Sequence, residues 1–236
     1  MLQDSNLTKR LSLIRENLNV ISVVLSNQVS IIERLLTGEI KEGDFAQIDR
    51  NETIIDGLEL KIRSEVLNTI VLFAPKASES RLMFAYHDLS SYLERIGDLL
   101  CNVAEHSREL DPAAPVALHY LPVLQEQLHR VNTMTQDAIV SFFMEDSNLA
   151  KQVIRQDEAV DAVYYSVLKN IPNRILSGGE PTAAHVRTGL LLNSISYNLE
   201  RIGDNATNIA EAAIFHTDGK DVRHPNARPA EPLESL

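Results

Sequence analysis

The chain has 236 residues, of which 44% are hydrophobic and 23% charged, so it can bury a full core without disulfides or a structural metal. Its net charge of −11 repels phosphate backbones and disfavours direct binding to nucleic acid. Its single cysteine, Cys101, cannot form an internal disulfide. The polar N-terminal segment lacks a signal-peptide pattern, and we see no apolar run approaching the ~20 residues of a membrane span. These features predict a cytoplasmic protein.

Apolar residues recur every three or four positions along most of the chain, which is typical of helices that bury one stripe. We expect a second helix to follow Asp44 as its N-cap, and a third to end at the DPAAP segment 111–115. The pattern then repeats, with a fifth helix after Asp146 and a sixth from about Pro181. The prediction is an all-α fold of six long antiparallel helices.

Long helices joined by short breaks favour two tandem three-helix bundles. We assign the first bundle to residues 1–110 and the second to residues 111–215. Residues 216–236 carry proline and charge with almost nothing apolar, which predicts a disordered C-terminal tail.

An internal repeat relates the two halves. The segment LERIGD at 93–98 recurs at 199–204, and the identity extends on both sides at the same offset. The matched pairs include Pro75 with Pro181, Ala77 with Ala183, Arg81 with Arg187, Asn102 with Asn208, and Glu105 with Glu211. The two halves are therefore interpreted as copies of one unit.

The second and fifth helices align in the same way, and the alignment separates two kinds of acid. Asp49 and Glu59 fall on uncharged residues, so we interpret them as solvated. Two other acids of the second helix fall on acids of the fifth. The retained carboxylates are Glu52, Asp56, Asp157 and Asp161.

Each half thus contains two copies of (Glu/Asp)-x-x-x-Asp, a spacing that places both carboxylates on one helix face about 5–6 Å apart at Cβ. One acid of every pair directly follows a core residue, so neighbouring helices can bring four carboxylates together. Like charges about 4 Å apart repel by about 4 kcal/mol at an effective dielectric constant of 20. We expect multivalent cations to bind there. The candidate ligands are Glu52, Asp56, Glu94 and Asp98 in the first half, and Asp157, Asp161, Glu200 and Asp204 in the second.

The donors are oxygens, and no histidine or cysteine is kept between the halves, so hard ions such as Mg²⁺, Mn²⁺, Ca²⁺ or iron are expected, with zinc less natural. The same helix faces continue to four further residues that are candidate extra ligands or hydrogen-bond partners of ligands. They are Asn102, Glu105, Asn208 and Glu211.

Other features of the repeat favour structural roles. Gly97 and Gly203 predict close helix contact, and Cys101 is interpreted as a packing residue rather than a nucleophile. Arg95 and Arg201 are expected to pair with neighbouring acids. The sequence contains no phosphate-binding glycine loop, nucleophile elbow or dinucleotide fingerprint, so we expect a protein that is not an enzyme.

The doubled LERIGD motif, each copy followed by Asn and Glu and preceded by Pro-x-Ala-x-x-x-Arg, closely resembles the PhoU family of phosphate-signalling proteins over about residues 7–215. The resemblance implies paired three-helix bundles whose acidic motifs hold multinuclear clusters of iron, zinc or magnesium. It also implies a regulator that links the ATPase subunit of the phosphate ABC transporter to a sensor histidine kinase and dampens the phosphate-starvation response. Family members often have His directly after the Asp of the motif, whereas this chain has Leu99 and Asn205.

Three alternatives stay open. The first is a PhoU-like regulator of another phosphate carrier, and the second is a metal-free helical scaffold. The third is a carboxylate-bridged dimetal oxidase of the ferritin type. The oxidase would use Glu-x-x-His motifs in a four-helix bundle, and none lies on the repeated faces. Broad amphipathic helix faces also predict a homodimer, and contact with the membrane only through partners.

Overall fold

The computed structural model describes residues 2–223, which form six helices and no strand. The all-α fold predicted from the periodicity is therefore confirmed. The helices are α1 (Leu2–Thr37), α2 (Asp44–Phe73), α3 (Ala77–Glu109), α4 (Pro115–Phe143), α5 (Ser147–Ser177) and α6 (Ala183–Asp218).

Two three-helix bundles lie side by side. Helices α1, α2 and α3 pack against one another, and so do α4, α5 and α6. The bundles meet mainly through α3 and α6, with a smaller contact between α1 and α4. Because α6 packs about as closely against α3 as against its own bundle, the halves share one continuous core. The boundary predicted at residue 110 falls in the connection between α3 and α4, and the division into 1–110 and 111–215 stays a prediction.

The core consists of the predicted stripes. On α3, Leu89, Leu93 and Ile96 are at most 1% exposed, and their equivalents on α6 are equally buried. Gly97 and Gly203 lie where neighbouring helices pack closely. A Cβ on Gly97 would lie 3.1 Å from Cδ1 of Ile55 on α2, so the predicted close contact is confirmed.

Helix α1 corrects the expectation that no apolar run approaches the length of a membrane span. Its segment Asn6–Thr37 has the length and mean hydropathy, 1.3, of a membrane span. Its stripe residues Ile14, Leu18 and Ile21 are fully buried in the first bundle, and 44% of its most apolar window is buried. A core helix of a bundle acquires such a composition because one whole face packs against other helices.

Several helix ends differ from the predictions. Asp44 is the first residue of α2 rather than its cap. It lies after Gly43, whose φ of 90° suits glycine. Its carboxylate accepts the Lys41 backbone N–H (2.9 Å) and pairs with Arg34 (2.5 Å). Likewise, Pro181 lies before the cap of α6 rather than in its first turn. The Asp146 cap is confirmed, because its side chain accepts two backbone N–H groups of α5.

The sequence predicted that the disordered tail begins at residue 216, which is too early. Residues 216–218 are the last turn of α6, where His216 stacks on Phe142 of α4 with ring centroids 5.6 Å apart. Beyond the helix, Val222 packs against the core. The prediction of disorder for residues 224–236 lies outside the described residues.

Two helical glycines give a stability test of the α5–α6 contact. A Cβ on Gly189 would lie 2.8 Å from both Cγ2 of Ile171 and Cδ1 of Ile175, whereas a Cβ on Gly57 meets nothing within 4 Å. We expect Gly189→Ala to lower the free energy of unfolding by about 1 kcal/mol or more, because crowding outweighs the gain in helix propensity. Gly57→Ala should raise it by about 0.5–1 kcal/mol. Thermal unfolding followed by circular dichroism measures both, and stabilisation by Gly189→Ala would contradict the described packing.

Candidate metal centres

The first acidic site, Glu52, Asp56, Glu94 and Asp98, lies where α2 packs against α3. Asp56 follows the buried Ile55, and Glu94 follows the buried Leu93, so both helices present carboxylates at the edge of the core. Carboxylate oxygens of Glu52, Asp56 and Asp98 lie within 4.8 Å of one another. Three of the four predicted ligands therefore converge on a volume that one cation can fill.

Glu94 lies beside this group without joining it. Partial burial raises the pKa of Glu94, and the charges of Asp98, Glu59 and Asp56 raise it further. Burial likewise raises the pKa of Glu52, with Asp98 and Asp56 adding to the shift. The site thus holds carboxylates that disfavour one another's charged forms in the absence of a cation.

Cys101 packs against the core, as the sequence predicted, and it also belongs to this site. Its thiol donates a hydrogen bond to Glu52, and the side-chain amide of Gln28 donates to its sulfur at 3.4 Å. Burial and the neighbouring Glu52 raise the pKa of the Cys101 thiol, so the sulfur is held in its neutral form.

The groove beside the first site contains the predicted additional residues. Asn102 and Glu105 line a cavity of about 530 Å³ together with Glu52, Asp98 and Cys101. Both side chains are exposed, and both lie along the same face of α3 as Asp98. Their role as further ligands, or as hydrogen-bond partners of ligands, stays a prediction.

Glu59 corrects the interpretation of the non-repeated acids. It is 7% exposed rather than solvated, and its carboxylate lies 3.3 Å from Arg63 and accepts the hydroxyl of Ser91 at 3.5 Å. Its position two turns after Glu52 was the signal that it shares the acidic face. Asp49, by contrast, is exposed as expected.

The second acidic site, Asp157, Asp161, Glu200 and Asp204, lies between α5 and α6. Its acids influence one another's ionisation, but within residues 2–223 they do not form a group as tight as that of the first site. Asp204 instead pairs with Arg201, with Nη1 and Oδ2 2.7 Å apart. Glycine again allows α5 and α6 to pack closely, because a Cβ on Gly203 would lie 3.4 Å from Oδ1 of Asp157.

Three carboxylate oxygens of the second site are buried without a hydrogen-bond partner within the described chain: Oδ1 of Asp157, Oδ1 of Asp161 and Oε2 of Glu200. Burial, with repulsion by Asp161 and Asp204, raises the pKa of Asp157 to about 6 despite the opposing effect of the Thr207 hydroxyl. Burial, with repulsion by the other acids, raises that of Glu200 to about 7 despite the opposing charge of Arg201. Buried acceptors of this kind are costly unless a cation or donor meets them. An all-oxygen donor set with unmet acceptors fits a hard multivalent cation.

Asn208 and Glu211 lie beside this site, and the charge of Glu211 contributes to the raised pKa of Asp157. They line a cleft between α3 and α6, here called the interbundle cleft, together with Asp204 but not with Asp157 or Asp161. Of the two positions where family members often have His, Asn205 is buried and donates to the backbone carbonyl of Arg201, while Leu99 packs against the core.

The raised pKa of Glu200 makes a testable prediction for protein held in a chelator. A carboxyl whose pKa is higher in the folded than in the unfolded state destabilises the fold at pH values above its folded-state pKa. At pH values below its unfolded-state pKa it has no effect, because it is protonated in both states. Glu200→Gln should therefore raise Tm by roughly 2–4 °C at pH 8, and leave it nearly unchanged near pH 4.5. Glu126→Gln, at an exposed surface pair on α4, is the control and should change Tm little. A lower Tm for Glu200→Gln at pH 8 would contradict carboxylate repulsion.

The chain is similar in sequence and in fold to known proteins. The PhoU domain model matches residues 21–107 and 124–213, once in each bundle. A "phosphate-specific transport system accessory protein PhoU homolog" of Zymomonas mobilis is 31% identical over 177 residues, 75% of this chain and 72% of that protein. The "phosphate-specific transport system accessory protein PhoU homolog 1" of Thermotoga maritima is 28% identical over 219 residues, which are 93% of this chain and 87% of that protein.

The crystal structure of PhoU from Pseudomonas aeruginosa superposes with a TM-score of 0.80 at 25% identity, covering 90% of this chain and 99% of that one. The similarity therefore extends over both bundles and their connection. Since the family model matches both halves and most of the chain, the chain belongs to the PhoU family.

Proposed function

We propose that this protein is a regulatory accessory protein of phosphate uptake, and that its two acidic sites bind multivalent cations. The accessory role is supported by relatives of similar length that are named as accessory proteins of the phosphate-specific transport system. Cation binding is supported by one observation above all: within residues 2–223, the second site holds buried carboxylate oxygens without partners, at acids that the internal repeat retains.

Cation binding would link the helices of each bundle. Glu52 and Asp56 come from α2 and Asp98 from α3, so one ion held by their oxygens would join the two helices. Asp157 on α5 and Glu200 on α6 would act in the same way in the second bundle. The ion supplies the positive charge that these carboxylates need, and the protein's residues orient their oxygens toward it. Magnesium, manganese and iron suit such a donor set best, and zinc less well.

The proposed partners are the ATPase subunit of a phosphate ABC transporter and a sensor histidine kinase. By contacting both, the protein would dampen starvation signalling while phosphate is abundant. It would work in the cytoplasm and reach the membrane only through these partners. Exposed apolar side chains on α2 and α3, namely Leu60, Leu67, Val71 and Phe84, offer a surface for a partner or for a second copy in a homodimer.

Metal content tests the cation proposal. Protein purified without chelator should contain bound metal, and Asp98→Ala combined with Asp204→Ala should remove most of it while circular dichroism shows the helices intact. The matched control is Glu16→Ala with Glu126→Ala, which removes two exposed acids outside the sites. Elemental analysis measures both. Unchanged metal content in the Asp98/Asp204 variant would show that the ligand assignment is wrong, and no metal in any preparation would favour the scaffold alternative.

Deleting the gene tests the regulatory role. In phosphate-rich medium, the deletion should raise expression of phosphate-starvation genes, and the intact protein should co-purify with a transporter or kinase component. Complementation with the wild-type gene is the control. Unchanged expression and phosphate uptake, with no such component recovered, would refute the role in phosphate signalling even if metal binding is demonstrated.

A further inference from the structure

The two acidic sites differ in where they place an equivalent arginine. Arg201 and Arg95 occupy the same position of the repeated LERIGD motif, three residues before Asp204 and Asp98 respectively. Arg201 lies 2.7 Å from Asp204, and the two side chains are only 36% and 32% exposed. Arg201 therefore brings a positive charge into the second site.

Arg95 stays outside the first site. Its side chain is exposed, and within residues 2–223 no ion pair joins it to Asp98. Asp98 is consequently left to approach Glu52 and Asp56, and these three carboxylates converge within 4.8 Å. Three carboxylates thus converge within 4.8 Å where the arginine is absent, and among the described residues no such group of three forms where it is present.

Arg201 and a metal ion would compete for the same carboxylate. The charge of Arg201 acts on Glu200 as well as on Asp204, so it partly fills the need for a cation in the second site. A guanidinium cannot meet the buried oxygens of Asp157 and Asp161, which remain without partners within the described chain. A metal entering the second site would meet these oxygens, but it would have to share or displace the charge at Asp204.

The interbundle cleft offers a place for the displaced side chain. This cleft of about 630 Å³ is lined by Arg201 and Asp204, and also by the carboxylates of Glu94 on α3 and Glu211 on α6. Arg201 can turn into it without entering the core. Arg95 and Arg223 line the same cleft.

We propose that Arg201 is a built-in cation of the second acidic site which a metal ion must displace, so that the first acidic site binds metal more tightly and fills first. This inference rests on the metal binding proposed above, and adds an order of loading that depends on one side chain.

The test is titration of the chelator-stripped full chain with Mn²⁺ by isothermal calorimetry. Wild-type protein should show a tight and a weak class of sites, with Asp98→Asn abolishing the tight class and Asp204→Asn the weak one. Arg201→Gln should tighten the weak class by about fivefold and leave the tight class unchanged, a factor typical of losing one partly exposed ion pair. Arg95→Gln, which removes the same charge from the equivalent position, should not tighten the weak class.

Thermal unfolding gives a second readout. In chelator, Arg201→Gln should lower Tm because Asp204 loses its counter-charge, and saturating Mn²⁺ should raise its Tm by more than that of wild type. An unchanged or weakened second class in Arg201→Gln, or the same tightening in Arg95→Gln, would overturn the inference while leaving metal binding intact. Failure of wild type to bind Mn²⁺ at either site would overturn both proposals.

Discussion

The repulsion between carboxylates held at the edge of a packed core is the constraint on which the functional account depends. Asp56, Glu94, Asp161 and Glu200 each directly follow a buried apolar residue, so the packing that forms the bundles also brings the acids together. Gly97 and Gly203 bring the helices closer still. The apolar contacts that stabilise the fold therefore impose an electrostatic cost at two places, and a cation is the simplest way to offset it.

Helices α3 and α6 connect the two sites. Each carries the second acidic pair of its own bundle, and the two helices pack against each other along the contact between the bundles. Glu94 of the first site and Asp204 of the second line the same interbundle cleft. The interbundle cleft therefore brings one acid of each site to the contact between the bundles.

Most of the fold was predictable because helical periodicity records burial directly. The stripes on α1, α3 and α6 are buried as expected, and the internal repeat selected four acids in each half that stay the predicted ligands. The repeat could not identify features present in one half only. Glu59 was misinterpreted because its equivalent is Tyr164, yet it is buried on the acidic face. Cys101 packs against the core as predicted, but its contact with Glu52 was not predicted because its equivalent in the other half is Thr207.

Other differences were beyond sequence reasoning for physical reasons. The first residue of α2 depends on Gly43 adopting a positive φ, and α6 continues to Asp218 before Gly219, also with a positive φ, ends it. The rotamers that direct Arg201 toward Asp204, but leave Arg95 without an ion pair within residues 2–223, are set by the surroundings of each side chain and not by the shared motif.

Anomalous diffraction from crystals of the full chain grown with Mn²⁺ tests whether the two acidic sites bind cations. We predict a strong anomalous peak about 2–2.5 Å from carboxylate oxygens of Glu52, Asp56 and Asp98, the range expected for oxygen ligands of hard divalent ions. At lower Mn²⁺ concentration this peak should be present while the peak beside Asp157 and Glu200 is weaker. Well-ordered carboxylates at both sites with no anomalous density between them would contradict the account.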